Sequence, residues 1–178
     1  AANEGLDTEL HLTINGGNIN IYADNDGINT NEDGVSVTTI NGGNLHIVAG
    51  LGEEGDGIDS NGWLVINGGT VEAYACGASP DSGLDADMGI VLKGGTVIAT
   101  GNMLDRIEDG SQTYAVFSFS QPRKDGSCTL KNEDGTVIET VKNAANGSFA
   151  FTAIQYSLDD VSDYIYTVNE AKGTDSEI

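Results

Sequence analysis

The sequence predicts an all-β protein, a parallel β-helix of about 26 residues per coil followed by a C-terminal antiparallel β cap. Three observations carry that prediction. The phrase Ile-Asn-Gly-Gly begins at Ile14, Ile40 and Ile66 and returns as Leu92-Lys93-Gly94-Gly95, always 26 residues after the previous copy. Apolar residues alternate on both sides of every copy. Nothing in the repeat has the apolar spacing of about 3.6 residues that marks a helix. A fixed period of this size means one supersecondary unit that buries its apolar edge against copies of itself.

Each unit holds three short strands. In the first, Leu6, Ile28, Ile58 and Leu84 each follow a glycine and precede Asp7, Asn29, Asp59 and Asp85. In the second, Leu12, Thr38, Leu64 and Ile90 share an inward face with Ile14, Ile40, Ile66 and Leu92. After the glycines, the third strand turns Ile19, Leu45, Val71 and Val97 inward, then Ile21, Ile47, Ala73 and Ala99. Between these lie two mixed sets, Asn20, His46, Glu72 and Ile98, and Tyr22, Val48, Tyr74 and Thr100, which are read as pointing outward. Asn-Gly-Gly supplies the positive φ of the turn joining the second and third strands. A hairpin meander would not demand like residues at like places, whereas parallel coils about 4.8 Å apart stack them directly.

Beyond Gly110 the period stops. Alternating stretches at Tyr114–Ser120, Cys128–Leu130, Thr136–Val141, Ser148–Tyr156 and Tyr164–Val168 predict antiparallel strands, with Asn132-Glu133-Asp134-Gly135 as a hairpin turn. An open coil edge invites aggregation unless it is covered, so residues 1–109 are read as coils and 110–178 as a β cap or small β module. The chain does not start with Met, and Gly5-Leu6-Asp7 already falls inside a unit, which predicts further coils upstream.

A net charge of −21, from seven Lys or Arg against 28 Asp or Glu, argues against nucleic acid as a partner, because phosphate binding needs a basic patch. It also argues against an anionic membrane surface. No run of about 18 apolar residues is present, so no membrane insertion by a helix is expected. The two cysteines, Cys76 and Cys128, are compatible with one disulfide or with two buried thiols.

The acidic residues are not scattered evenly. They gather with glycines in the loop that ends each unit, in Asp24-Asn25-Asp26-Gly27, Gly55-Asp56-Gly57 and Asp81-Ser82-Gly83. Stacking coils puts Asp7, Asn29, Asp59 and Asp85 in one file, and Asp26, Asp56 and Asp81 in another. Carboxylates so close repel one another, and a cation relieves the repulsion. Hard oxygens from Asp, Asn and peptide carbonyls on glycine-rich loops suit Ca²⁺, which takes six to eight of them. Asp24, Asp26, Asn29, Asp56, Asp59, Asp81 and Asp85 are the candidate ligands. Solvated carboxylates capping their own turns are the other reading. Zinc is unsupported, since no Cys/His cluster exists.

Tyr22 and Tyr74 fall in one outward column two coils apart, a separation of about 9.6 Å at about 4.8 Å per coil, on the scale of two sugar units. Trp63 lies outward on another face, beside Val37. These three rings are the candidate carbohydrate-binding residues. Packing against a loop or the C-terminal segment is the alternative for each.

The strand phrase Ile-Asn-Gly-Gly-(Asn/Thr), coupled to Asp-Gly-Ile at Asp26–Ile28 and Asp56–Ile58, resembles a bacterial carbohydrate-binding domain family over roughly residues 5–101. The resemblance implies a right-handed β-helix related to that of polysaccharide lyases, secretion or attachment to the cell surface, bound calcium, and a partner among plant cell-wall polysaccharides such as cellulose or acidic pectic glycan. At Ser82-Gly83-Leu84 the motif's aspartate is lost.

A lyase on such a fold needs a strong base, usually Arg or Lys, and the first 110 residues offer only Lys93 and Arg106. His11 and His46 lie in different columns and read as surface residues. No catalytic residue is therefore expected. The leading reading is non-catalytic binding of polysaccharide by a Ca²⁺-stabilised solenoid. A structural or adhesive solenoid is the alternative, and a polysaccharide lyase or hydrolase ranks third.

Overall fold

The computed structural model describes residues 3–109, 111–123, 127–131, 135–142, 151–157, 167–171 and 175–177. The alternating segments become strands. The first coil contains β1 (Leu6–Thr8), β2 (His11–Ile14) and β3 (Asn18–Tyr22), and the second β4 (Ile28–Thr30), β5 (Val37–Ile40) and β6 (Asn44–Val48). The third holds β7 (Ile58–Ser60), β8 (Trp63–Ile66) and β9 (Thr70–Tyr74). In the fourth, a bridge at Leu84 stands in for the first strand and is followed by β10 (Gly89–Leu92) and β11 (Thr96–Gly101). Strands of one coil never pair with each other. Each pairs in parallel with its counterpart in the next coil, as in Leu12↔Thr38 and Thr38↔Leu64. The result is a β-solenoid with three parallel faces, ordered β1-β4-β7, β10-β8-β5-β2 and β11-β9-β6-β3.

After the coils come β12 (Tyr114–Arg123), β13 (Ser127–Lys131), β14 (Val137–Lys142), β15 (Phe151–Ser157), β16 (Thr167–Ala171) and β17 (Asp175–Glu177). β15 runs antiparallel along β11, and β12 along β15, so the third face continues past the last coil. β13, β14, β16 and β17 make a separate antiparallel sheet. The expected turn at Asn132–Asp134, and the expected strand residues Ser148–Ala150 and Tyr164–Tyr166, lie outside the described residues. So does the side chain of Cys128, whereas Cys76 is a buried free thiol.

The lumen is filled by the predicted columns. Ile28, Ile40, Ile47, Ile58, Leu64, Ile66 and Leu84 are fully buried and form one continuous cluster. Thr38 occupies an inward position in the Leu12, Leu64 and Ile90 column, where a hydroxyl needs a partner. It finds Thr30 at 3.1 Å, and Thr30 in turn donates to Ser60 at 2.8 Å, a chain of hydroxyls crossing coils. At the turn after the second strand, the second glycine alone adopts positive φ, 107°, 106°, 95° and 90° at Gly17, Gly43, Gly69 and Gly95.

The asparagine of the repeated phrase has its own function. Asn41 donates through Nδ2 to Asn15 Oδ1 at 2.8 Å, and Asn67 donates to Asn41 Oδ1 at 2.7 Å, so the amides form a ladder along the solenoid. Asn41, in the middle, makes both bonds. Asn41→Ala is expected to cost about 1 kcal/mol, more than Asn15→Ala at the end of the ladder, read as a shift in the denaturant midpoint at unchanged slope.

Candidate functional site

The acidic corner is built by the first strand and the loop before it. Register places Asp7 beside Asn29 and Asn29 beside Asp59. Asp85 follows, its N–H donating to the Ile58 carbonyl at 2.8 Å. The second file is tied into the backbone. Asp26 Oδ1 accepts from the Asp56 N–H at 2.7 Å, Asp56 Oδ1 from the Ser82 N–H at 2.6 Å, and Asp81 Oδ2 from the Gly55 N–H at 2.7 Å and from the Ser79 hydroxyl. These carboxylates hold one coil's corner to another's. Asp24 is exposed, and its carbonyl accepts the Gly52 N–H at 2.9 Å.

The first file is different. Asn29 donates through Nδ2 to Asp26 Oδ2 at 3.3 Å, but its Oδ1 is buried with no hydrogen-bond partner. Burial pushes the Asp59 carboxyl up to about 7, and the nearby carboxylates of Asp26, Asp85 and Asp87 add to the effect. Burial likewise raises Asp85 to about 6, with Asp105 as its strongest charged neighbour, and Asp56 to about 8. Asp26 is raised as well, chiefly by burial. The corner thus holds more negative charge than its own donors neutralise. Among the described residues no three His, Cys, Asp or Glu side chains converge as a ready ligand set. An ion here has to draw on the Asn29 amide oxygen and on peptide carbonyls too.

The second candidate region is the outer face of β3, β6 and β9. Tyr22 and Tyr74 share a column, as expected, through Tyr22↔Val48 and Val48↔Tyr74. His46 packs between their rings, 6.1 Å from Tyr22 and 5.5 Å from Tyr74 between centroids, edge-on to both at 61°. Tyr22 is 52% exposed, whereas Tyr74 is only 5% exposed. The expected pair of free rings therefore reduces to one. Val48, Ile98 and Thr100 on the same outward columns are buried too, so the mixed composition of these columns reflects a face that is covered along part of its length.

Sequence reasoning missed the pair beneath Tyr22. His46 Nδ1 lies 2.9 Å from Glu72 Oε2, and the Tyr74 hydroxyl donates to the same oxygen at 3.4 Å. Hydrogen bonding to His46 holds the Glu72 carboxyl below its ordinary value despite partial burial. The two residues are one period apart, so the repeat itself brings them side by side. His11 belongs to another sheet, in register with Val37, and the two histidines form no pair.

Trp63 stands on that other sheet, between Val37 and Gly89, and is partly exposed. A family model described as carbohydrate-binding domain-containing protein matches residues 1–152. No curated protein and no solved structure matches the chain.

Proposed function

Because the chain belongs to the family of carbohydrate-binding domain-containing proteins, we propose that it binds cell-wall polysaccharide without transforming it, and that Ca²⁺ held at the acidic corner stabilises the solenoid and bridges to acidic sugars. The observation that carries the calcium part is the buried, unpartnered Asn29 Oδ1 beside carboxyls whose burial leaves their charge uncompensated. Oxygen-only donors on glycine-rich loops are the chemistry Ca²⁺ selects. Asn29, Asp59 and Asp85 would hold the ion together with peptide carbonyls. Asp26, Asp56 and Asp81 support them from the neighbouring file. Bound there, the ion would supply positive charge on a surface that otherwise repels a uronate. On this reading the protein works outside the cell, secreted or attached to the surface, where its polysaccharide is.

Tyr22 provides the exposed ring of the β3 face, with His46 and Glu72 beneath it as hydrogen-bonding groups for sugar hydroxyls. Affinity electrophoresis through gels containing hydroxyethylcellulose, xylan or polygalacturonate, with and without EGTA, tests both parts. Retardation is expected on polygalacturonate and is expected to fall when EGTA is present. A protein that migrates freely through all three gels would not be a polysaccharide binder. Tyr22→Ala is expected to weaken the retardation about fivefold while leaving thermal stability unchanged.

A further inference from the structure

The outer face of β2, β5, β8 and β10 carries a second constellation, which the 26-residue period does not reveal. Its outward column runs His11, Val37, Trp63 and Gly89. After the fourth coil the chain returns early. Ile107 bridges Ile90, the Ile90 N–H donates to the Arg106 carbonyl at 3.1 Å, and the Glu108 N–H donates to the Ile90 carbonyl at 2.8 Å. This continues the column from Gly89 to Arg106 and sets Glu108 on the same face.

Gly89 has φ 131°, and a Cβ there would press on the Glu108 side chain, with its Cγ at 2.9 Å. The position between Trp63 and Arg106 has no side chain of its own; Glu108 lies over it and buries Gly89. Arg106 Nη2 pairs with Glu108 Oε1 at 2.6 Å and donates to the Met88 carbonyl at 3.1 Å, while the side chain stays 69% exposed. Among the described residues only Nη2 of that guanidinium is engaged, and the Trp63 indole N–H has no partner.

We infer that Trp63, Arg106 and Glu108 form a metal-independent subsite for an uncharged pyranose chain lying along the solenoid axis. The inference rests on the glycan-binding reading above. The indole offers a flat apolar surface and an N–H donor. Glu108 fills the place above Gly89 next to it, and the Arg106–Glu108 pair presents charged donors and an acceptor to neighbouring sugar hydroxyls. Trp63 and Arg106 are two coil steps apart, about 9.6 Å at about 4.8 Å per step, enough for two linked sugars. The charge balance selects the ligand. The guanidinium is already neutralised by Glu108, so a carboxylated sugar finds no free cation here and meets the field of a chain with net charge −21. An uncharged pyranose meets no such repulsion.

Trp63 is the only tryptophan, so its fluorescence reports this subsite alone. The whole chain is titrated in EGTA with cellohexaose, xylohexaose, mannohexaose and hexagalacturonate. At least one uncharged hexasaccharide is expected to shift the Trp63 emission, with hexagalacturonate silent. Arg106→Gln is expected to weaken that binding about tenfold while the protein still melts cooperatively from a folded state, and Tyr22→Ala is expected to leave it intact. A response to hexagalacturonate alone, no response to any uncharged hexasaccharide, or wild-type affinity in Arg106→Gln would overturn the inference. If Trp63 stays silent while glycan gels still retard the protein, this subsite is wrong and glycan binding stands. If gels and fluorescence are both silent, both fail.

Discussion

Gly57→Ala is expected to lower stability by about 3 kcal/mol and the melting temperature by about 10 °C. The glycines before the first-strand core residues Leu6, Ile28 and Ile58 are places where neighbouring coils come close. A Cβ on Gly57 would sit 3.0 Å from the Ala73 Cβ and 3.2 Å from the Gly83 carbonyl carbon, with the carbonyl oxygen closer still. The same obstruction recurs at Gly27, where the Gly57 carbonyl is the obstacle, and at Gly5, where it is Gly27. Because the obstacle is backbone held in a parallel ladder, no rotamer change relieves it, and the coils have to separate. Gly16→Ala is the control. Nothing lies within 4 Å of a Cβ there and its φ is not positive, so a near-neutral result is expected. Equal melting temperatures for the two variants would refute the close-approach account.

The second large effect concerns pH and calcium together. Asp56, Asp59 and Asp85 have folded-state values raised to about 8, 7 and 6 from 3.8. A carboxyl raised in this way favours the folded state most below its unfolded value, and that contribution is lost as pH climbs through its folded value. The metal-free protein is therefore expected to be more stable at pH 5 than at pH 8.5. The difference is about 3 kcal/mol after discounting for partial exposure and for charge sharing within the file. Calcium should reverse the slope, because it stabilises the ionised carboxylates. At a concentration about 100 times its dissociation constant it adds about 2.7 kcal/mol, so the gain in melting temperature is expected to be large at pH 8.5 and small at pH 5. Calorimetry at the two pH values, with EGTA and then with CaCl₂, reads both effects. A calcium response that is absent at pH 8.5 would remove the ion from the corner, while a flat metal-free profile would remove the buried charge.

Much of this architecture was legible in the residues, because a parallel solenoid repeats its environment and so repeats its side chains. Ile14, Ile40, Ile66 and Leu92 have to face one lumen, and no other arrangement explains their spacing. Even Thr38 at an inward position was readable as core, although its hydroxyl partners, Thr30 and Ser60, belong to other strands. The site was harder to read, for a physical reason. An aspartate in a glycine-rich corner serves equally well as an ion ligand or as an acceptor for a peptide N–H, and only coordinates distinguish Asp26, Asp56 and Asp81, which take N–H groups, from Asp59. Tyr74 looked like Tyr22 in the column, yet one is buried and the other exposed, since alternation reports which side of a sheet a residue occupies and not what covers it. Arg106 was weighed only as a possible base, and its place in the Trp63 column went unread, because the chain closes its fifth rung 17 residues after Gly89 instead of 26.

The amide ladder of Asn15, Asn41 and Asn67 also bears on how such a protein changes length. Each rung presents to the next the surface it received from the one before, so a duplicated turn would meet a neighbour it already fits. A single inserted residue would instead turn every lumen side chain of that strand out into water. Growth by whole turns is the permitted step, and each added turn lengthens the outer faces by one rung, extending the track available to a linear sugar polymer without redesigning any contact.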